Sequence, residues 1–174
     1  MTTSALPMSS PDVLEPRNLR TTFGCFPTGV IALCTRGPEG PVGMAISTFT
    51  SVSLAPALVS VCVQKGSRTW SQIRENGAVG VSILSADQEK ICRALSSNVP
   101  DRFAQVAWSA TKTGAVFVDE SVAWLECVVH DELDGGDHII ALLRITGHGV
   151  ASAAEPLVFH RSDFRGLMDM EAGQ

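Results

Sequence analysis

The chain has 174 residues, 45% of them hydrophobic, which suits one compact domain able to bury roughly 70% of its unfolded surface. A formal charge of −5, a pI near 5.3 and no run of Lys or Arg exclude the electrostatic footprint of a nucleic-acid or anionic-membrane binder, so any phosphate site must be local. No apolar run approaches the roughly 20 residues of a membrane span, and the first residues lack the basic-then-apolar order of a signal peptide, so a cytoplasmic protein is expected.

In chain order, residues 1–15 carry Ser, Thr and Pro without periodicity and predict a loose tail, as do residues 168–174, leaving a domain over 16–167. Asn18 reads as the cap of a short helix running to about Phe26 and stopped by Pro27. Val30 to Thr35 reads as a buried strand and Gly37-Pro38-Glu39-Gly40-Pro41 as a turn. Residues 42–50 and 57–63 then read as a pair of strands in an antiparallel meander. A helix around Trp70 and Ile73 ends at Asn76-Gly77, strand 78–84 follows, and Asp87 opens a helix with Ile91, Cys92 and Leu95 on its apolar stripe. Residues 96 to about 121 are irregular and long enough to predict a lid or binding loop. Trp124 to Leu133 and His138 to Val150 read as strands joined by the Gly135-Gly136 turn, and Pro156 to Phe159 as a short last strand. Six or seven strands, three short helices and connections too short for βαβ crossovers predict a mainly β, antiparallel barrel. No GxGxxG opens a helix, which argues against a Rossmann sheet.

Two clusters carry chemistry. Between Gly43 and Leu54 lie five hydroxyl side chains, among them Ser47, Thr48, Thr50 and Ser51, and strand-end N–H groups can join such hydroxyls around an anion. Lys65-Gly66-Ser67-Arg68-Thr69 then delivers a Ser, a cation and a Thr to a helix start, where negative charge is favoured. Together they predict a phosphorylated cofactor, with Arg68 as the only strongly directional cation of the region. Cys25, Cys34, Cys62, Cys92 and Cys127 are odd in number and form no CxxC pair. Four of them sit among apolar neighbours, so they read as buried thiols rather than disulfide partners or metal ligands, and no metal site is expected. Apolar strands such as Ala57–Val63 and Ile139–Ile145, with a mean hydropathy of +0.19, predict a further surface covered in a dimer.

Phe26-Pro27-Thr28-Gly29-Val30, GMAISTFTSVSL, KGSRTW, Gly136-Asp137-His138 and Pro156-Leu157-Val158-Phe159-His160-Arg161, in that order, resemble the flavin reductase-like family with its FMN-binding split barrel. The resemblance spans roughly residues 18 to 167. It implies a homodimeric NAD(P)H:flavin oxidoreductase that supplies reduced FAD or FMN to a separate monooxygenase. It also implies that Pro27, Thr28 and Gly29 lie beside the isoalloxazine ring, Ser47, Thr48, Thr50 and Ser51 along the ribityl and phosphate portion, and Ser67, Arg68 and Thr69 at the phosphate. His138 would be the active-site histidine, with His160 and Arg161 also near the nicotinamide. NADH is the expected donor and NADPH the alternative. The chain departs from the family pattern at Ser47, where Asn is frequent, at Leu143, where Gly is common, and at Phe164, where Tyr is frequent. A tightly liganded flavin-storage module and an oxidase of the pyridoxine-phosphate type are the competing readings.

Overall fold

Alternating apolar positions become strands of a mainly antiparallel barrel in the computed structural model, which describes residues 14–151 and 154–167. The tails expected over 1–15 and 168–174 lie outside those residues except for Leu14 and Glu15. In chain order come α1 (Pro16–Phe23), β1 (Thr28–Gly29), β2 (Ile31–Gly37), β3 (Gly40–Ile46), β4 (Thr50–Leu54), β5 (Ala57–Gln64), α2 (Arg68–Asn76) and β6 (Ala78–Ile83). They are followed by α3 (Glu89–Leu95), β7 (Trp108–Ala110), β8 (Val116–Val118), β9 (Ala123–Gly135), β10 (His138–Val150), β11 (Val158–His160) and β12 (Asp163–Arg165). Seven strands form one sheet in the order β3-β2-β6-β9-β10-β5-β4, and β1-β11-β12 form a separate three-stranded sheet.

Side chains alternate across a strand, so a strand covered on both faces must be apolar throughout. β2 shows the rule: Ile31 and Leu33 enter one core with Val61, Val81, Ile73 and Leu143, while Ala32 and Cys34 enter a second with Leu84, Leu95, Val116 and Leu157. The first core is closed by α2 through Trp70 and Ile73, the second by α3 and by β8. At Gly80 on β6 a Cβ would stand 1.9 Å from the Val116 carbonyl oxygen, so β8 can cross β6 only over a glycine. Leu143, the bulky departure from the family pattern, is fully buried in the first core.

Several boundaries differ from the sequence expectation. The first helix starts two residues earlier than Asn18, with Glu15 as its N-cap and Pro16 at its first position, where a fixed φ and a missing N–H suit a helix start. The hydroxyl-rich segment 42–50 is not one strand. It breaks at residues 47–49, and its halves lie on opposite edges of the sheet, β3 against β2 and β4 against β5. The expected meander therefore joins β4 to β5, and β3 belongs to the hairpin turned at Pro38-Glu39. Residues 96–121 are not structureless: Trp108–Ala110 pairs with Val116–Val118. Strands of three residues are too short to show a period. A 3-10 turn at Ala86–Gln88 precedes α3, which starts after Asp87. No helix among the described residues is long and apolar enough to cross a membrane.

Candidate functional site

Where the chain crosses from β3 to β4, Thr48 is fastened to β5: its hydroxyl accepts from the Cys62 N–H at 2.9 Å and donates to the Cys62 carbonyl at 3.0 Å. This holds Ser47 and Thr48 over the open seam of the sheet. Just beyond β5, Gly66 takes φ 79°, a left-handed turn that glycine adopts freely, and Ser67 caps α2 by accepting from the Trp70 N–H at 3.2 Å. The cap and the turn set Arg68 and Thr69 at the positive end of the helix. The helix is fixed from its other side, because Glu132 accepts from Trp70 Nε1 at 2.6 Å and from Arg74 at 3.1 Å.

A cavity of about 570 Å³ is lined by Ser47, Thr48, Ser67, Arg68, Thr69 and a residue the sequence did not single out, Arg102. The Arg102 guanidinium donates to the Gly43 carbonyl at 3.2 Å and to the Thr69 hydroxyl at 3.3 Å. Among the described residues no carboxylate pairs with Arg68 or Arg102. Two unneutralised guanidinium groups therefore meet hydroxyls and a helix N-terminus on a chain of net charge −5, an arrangement suited to a phosphate or pyrophosphate. Arg68 is thus not the region's sole cation, because the turn after α3 brings Arg102 beside it. The only sequence signal was the Asp101-Arg102 pair inside the connection read as a binding loop.

Ser47 also lines two adjoining cavities. One, of about 330 Å³, reaches Phe159 and Phe164, and the other, of about 550 Å³, reaches Phe26, Thr28, Phe159 and Ser162. The result is a groove polar and cationic at one end and aromatic at the other. Thr28 reaches it because β1 pairs with β11, opposite Phe159; its neighbours Pro27 and Gly29 are exposed beside it. Phe164, the third departure from the family pattern, packs on Phe159 with centroids 5.3 Å apart and lies under the Arg93 guanidinium at 4.9 Å.

The remaining predicted residues lie off these walls. Thr50 and Ser51 are exposed on β4. His138 opens β10 opposite Gln64, and its Nδ1 lies 2.7 Å from the Asp137 carboxylate, which the ring holds below the usual carboxylate range. His160 sits on β11 opposite Asp163, and Arg161, at φ 52°, donates its N–H to the Gly24 carbonyl at 2.8 Å, tying the last hairpin to α1. Phe103, next to Arg102 and not among those candidates, is buried in the second core. Of the thiols, Cys34, Cys92 and Cys127 are buried, Cys62 is half-buried and Cys25 is exposed, all free.

An antiparallel barrel split at one seam, with hydroxyls and cations converging there, defines the class of flavin-binding split barrels, and known proteins place the chain within it. The family model described as flavin reductase like domain matches residues 23–168, and the chain belongs to that family. It is 34% identical over 156 residues to the flavin-dependent monooxygenase reductase subunit HsaB of Rhodococcus jostii (strain RHA1), covering 90% of this chain and 80% of that protein. The structure of the Streptomyces globisporus C-1027 NADH:FAD oxidoreductase SgcE6 in complex with NAD and FAD fragments is 35% identical. It superposes with a TM-score of 0.87 over 97% of this chain and all of that one (100%). BorF, the flavin reductase component of a bacterial two-component tryptophan halogenase, is 32% identical with a TM-score of 0.81, covering 90% of this chain and 100% of that one.

Proposed function

We infer that the chain is an NADH-dependent flavin reductase that reduces FAD and releases it to a separate flavin-dependent monooxygenase. The observation that carries this reading is the meeting of Arg68 and Arg102 with Ser47, Thr48 and Thr69 in a groove that ends on Phe159 and Phe26. The cationic end fits the phosphate tail of a flavin, and the aromatic end fits its ring. The kinship with SgcE6 supports NADH and FAD, and the kinship with HsaB and BorF supports a role as the reductase component of a two-component system.

A flavin held in this groove would supply the hydride acceptor for NADH. The chain's own part is binding and orientation. Ser67, Arg68, Thr69 and Arg102 hold the phosphate end. Ser47 and Thr48 follow the ribityl chain and Pro27, Thr28 and Gly29 border the ring, while Thr50 and Ser51 stay exposed on β4, off the groove walls. His160 and Arg161, flanked by the groove residues Phe159 and Ser162, position the nicotinamide, whereas His138, its ring steadied by Asp137, stands opposite Gln64 at the cationic end. The hydroxyl-based cradle is exposed to solvent along Thr48 and Arg68, which suits a flavin exchanged at each turnover rather than retained.

The working unit is the domain over 16–167, acting as a homodimer in the cytoplasm. Phe23, Phe26 and Leu54 are 68%, 74% and 97% exposed, large apolar side chains that a second copy would cover. Five free thiols suit a reducing compartment. Purified protein should oxidise NADH only when free flavin is added; absence of oxidation with FAD, FMN and riboflavin alike refutes the reading. Sedimentation at micromolar concentration should give twice the chain mass.

A further inference from the structure

β9 carries one residue more than β10 can match. Val129 stands opposite Leu143 and Asp131 opposite Leu142, so His130 between them has no opposite residue and forms a β-bulge. Cys127 and Val129 face the first core, and unbroken alternation would put Asp131 next on that face. The bulge shifts the phase by one residue, and it is Glu132 that pairs with buried Ala141 and turns inward. A carboxylate only 25% exposed is thereby aimed at the core side of the sheet, a placement that requires partners.

Both partners belong to α2, one per carboxylate oxygen. Oε1 accepts from Trp70 Nε1 at 2.6 Å and Oε2 from Arg74 Nη1 at 3.1 Å. Trp70 is 2% exposed, so its indole N–H has no water to turn to. The backbone N–H of the same residue donates to the capping Ser67 hydroxyl. Trp70 therefore fixes how far α2 is rotated about its own axis, and that rotation decides where Arg68 and Thr69 point. On a helix whose side chains reach about 5 to 6 Å from the axis, a rotation of about 10° moves them by about 1 Å. The Thr69 hydroxyl in turn accepts from Arg102, so both guanidinium groups inherit the setting. The neighbouring Lys65–Asp134 pair, 2.8 Å apart, is 45% and 77% exposed and adds little. The half-buried carboxylate is the stronger tie.

We propose that Glu132, aimed by the bulge at His130, is the positioning residue of the phosphate end: through Trp70 and Arg74 it sets α2 so that Arg68, Thr69 and Arg102 meet the ligand together. This rests on the flavin reductase reading and adds to it a residue outside the groove on which phosphate affinity depends. Glu132 lines none of the groove's cavities, so it acts only through the helix it holds.

The test is steady-state NADH oxidation with FAD, FMN and riboflavin on the wild type, Glu132→Ala and Glu132→Gln, with circular dichroism to confirm folding. FAD and FMN carry phosphate and riboflavin carries none, so the comparison separates the cradle from the rest of the molecule. Glu132→Ala should raise the KM for FAD and FMN by about tenfold, within the range that a shift of about 1 Å can cost. The KM for riboflavin, and kcat with each flavin, should stay within about twofold. Glu132→Gln keeps an acceptor for the Trp70 indole but gives up the charge facing Arg74, and its KM for FMN should fall between the two. An equal rise for riboflavin, or an unchanged KM for FMN in folded Glu132→Ala, overturns the assignment. If Glu132→Ala does not fold, the rise for FMN against that for riboflavin in Glu132→Gln decides the matter. A wild type inactive with all three flavins defeats the underlying reading and this assignment with it, whereas an active wild type confines any failure to Glu132.

Discussion

Thr48 and Cys62 exchange two hydrogen bonds through one hydroxyl, accepting at 2.9 Å and donating at 3.0 Å. The same side chain that bridges the seam of the barrel also lines the cavity that takes the ligand, so closure and recognition meet at one residue. Thr48→Val keeps the shape and removes both bonds. Thr48 is exposed and water can take over part of the loss, so unfolding in urea should show a destabilisation of about 1 kcal/mol. The KM for flavin should rise while kcat changes less.

Arg68 and Arg102 approach the same ligand end from different elements, one from α2 and one from the turn after α3. Replacing either by Met should raise the KM for FAD and FMN together by about tenfold or more, the weight of a charge-assisted hydrogen bond. Arg102→Lys should recover little, because an ammonium group cannot serve Gly43, Thr69 and a phosphate as a planar fork does. A KM unchanged in both Met variants would remove the cationic end from the binding model.

Gly80→Ala places a Cβ 1.9 Å from the Val116 carbonyl oxygen, a backbone atom that cannot swing aside. The substitution should cost several kcal/mol, near the upper end of single-residue effects, or prevent folding. Soluble yield and thermal melting report it. A melt within a few degrees of wild type would mean that β8 does not cross β6 as described.

Burial pushes the Cys34 thiol up to about 12, and burial with the Glu126 charge does the same for Cys127, from an ordinary 9.0. Both thiols keep their proton in the folded chain at a pH where the unfolded chain has lost it. Their contribution is therefore intact below pH 9 and is lost as the pH climbs from 9 toward about 12. Stability should decline there by up to about 1.4 kcal/mol per pH unit for each thiol, measurable in urea melts at pH 8, 9 and 10. Iodoacetamide on the native protein should modify exposed Cys25 and spare Cys34 and Cys127.

Long apolar runs made the barrel legible in the sequence: β2, β5, β9 and β10 begin and end within a few residues of their expected bounds. α2 was readable from the spacing of Trp70 and Ile73 and from the Asn76-Gly77 stop, signals that act locally. What escaped was set by distance along the chain. Thr48 breaks the hydroxyl-rich run because it bonds to Cys62, and no local preference announces a partner 14 residues on. Arg102 looked like a loop cation because its companion Thr69 lies 33 residues earlier. β1, β7, β8 and β12 are two or three residues long and exist only through their pairings, whereas β11 falls where a short last strand was expected over Pro156–Phe159.

Ser47 stands where three hollows meet, and it is among the smallest side chains that could occupy that crossing. A short alcohol there leaves the chambers in communication, whereas a longer amide would partition them. Traffic in and out then requires no opening of the barrel wall, and the width of the passage is governed by a single side chain.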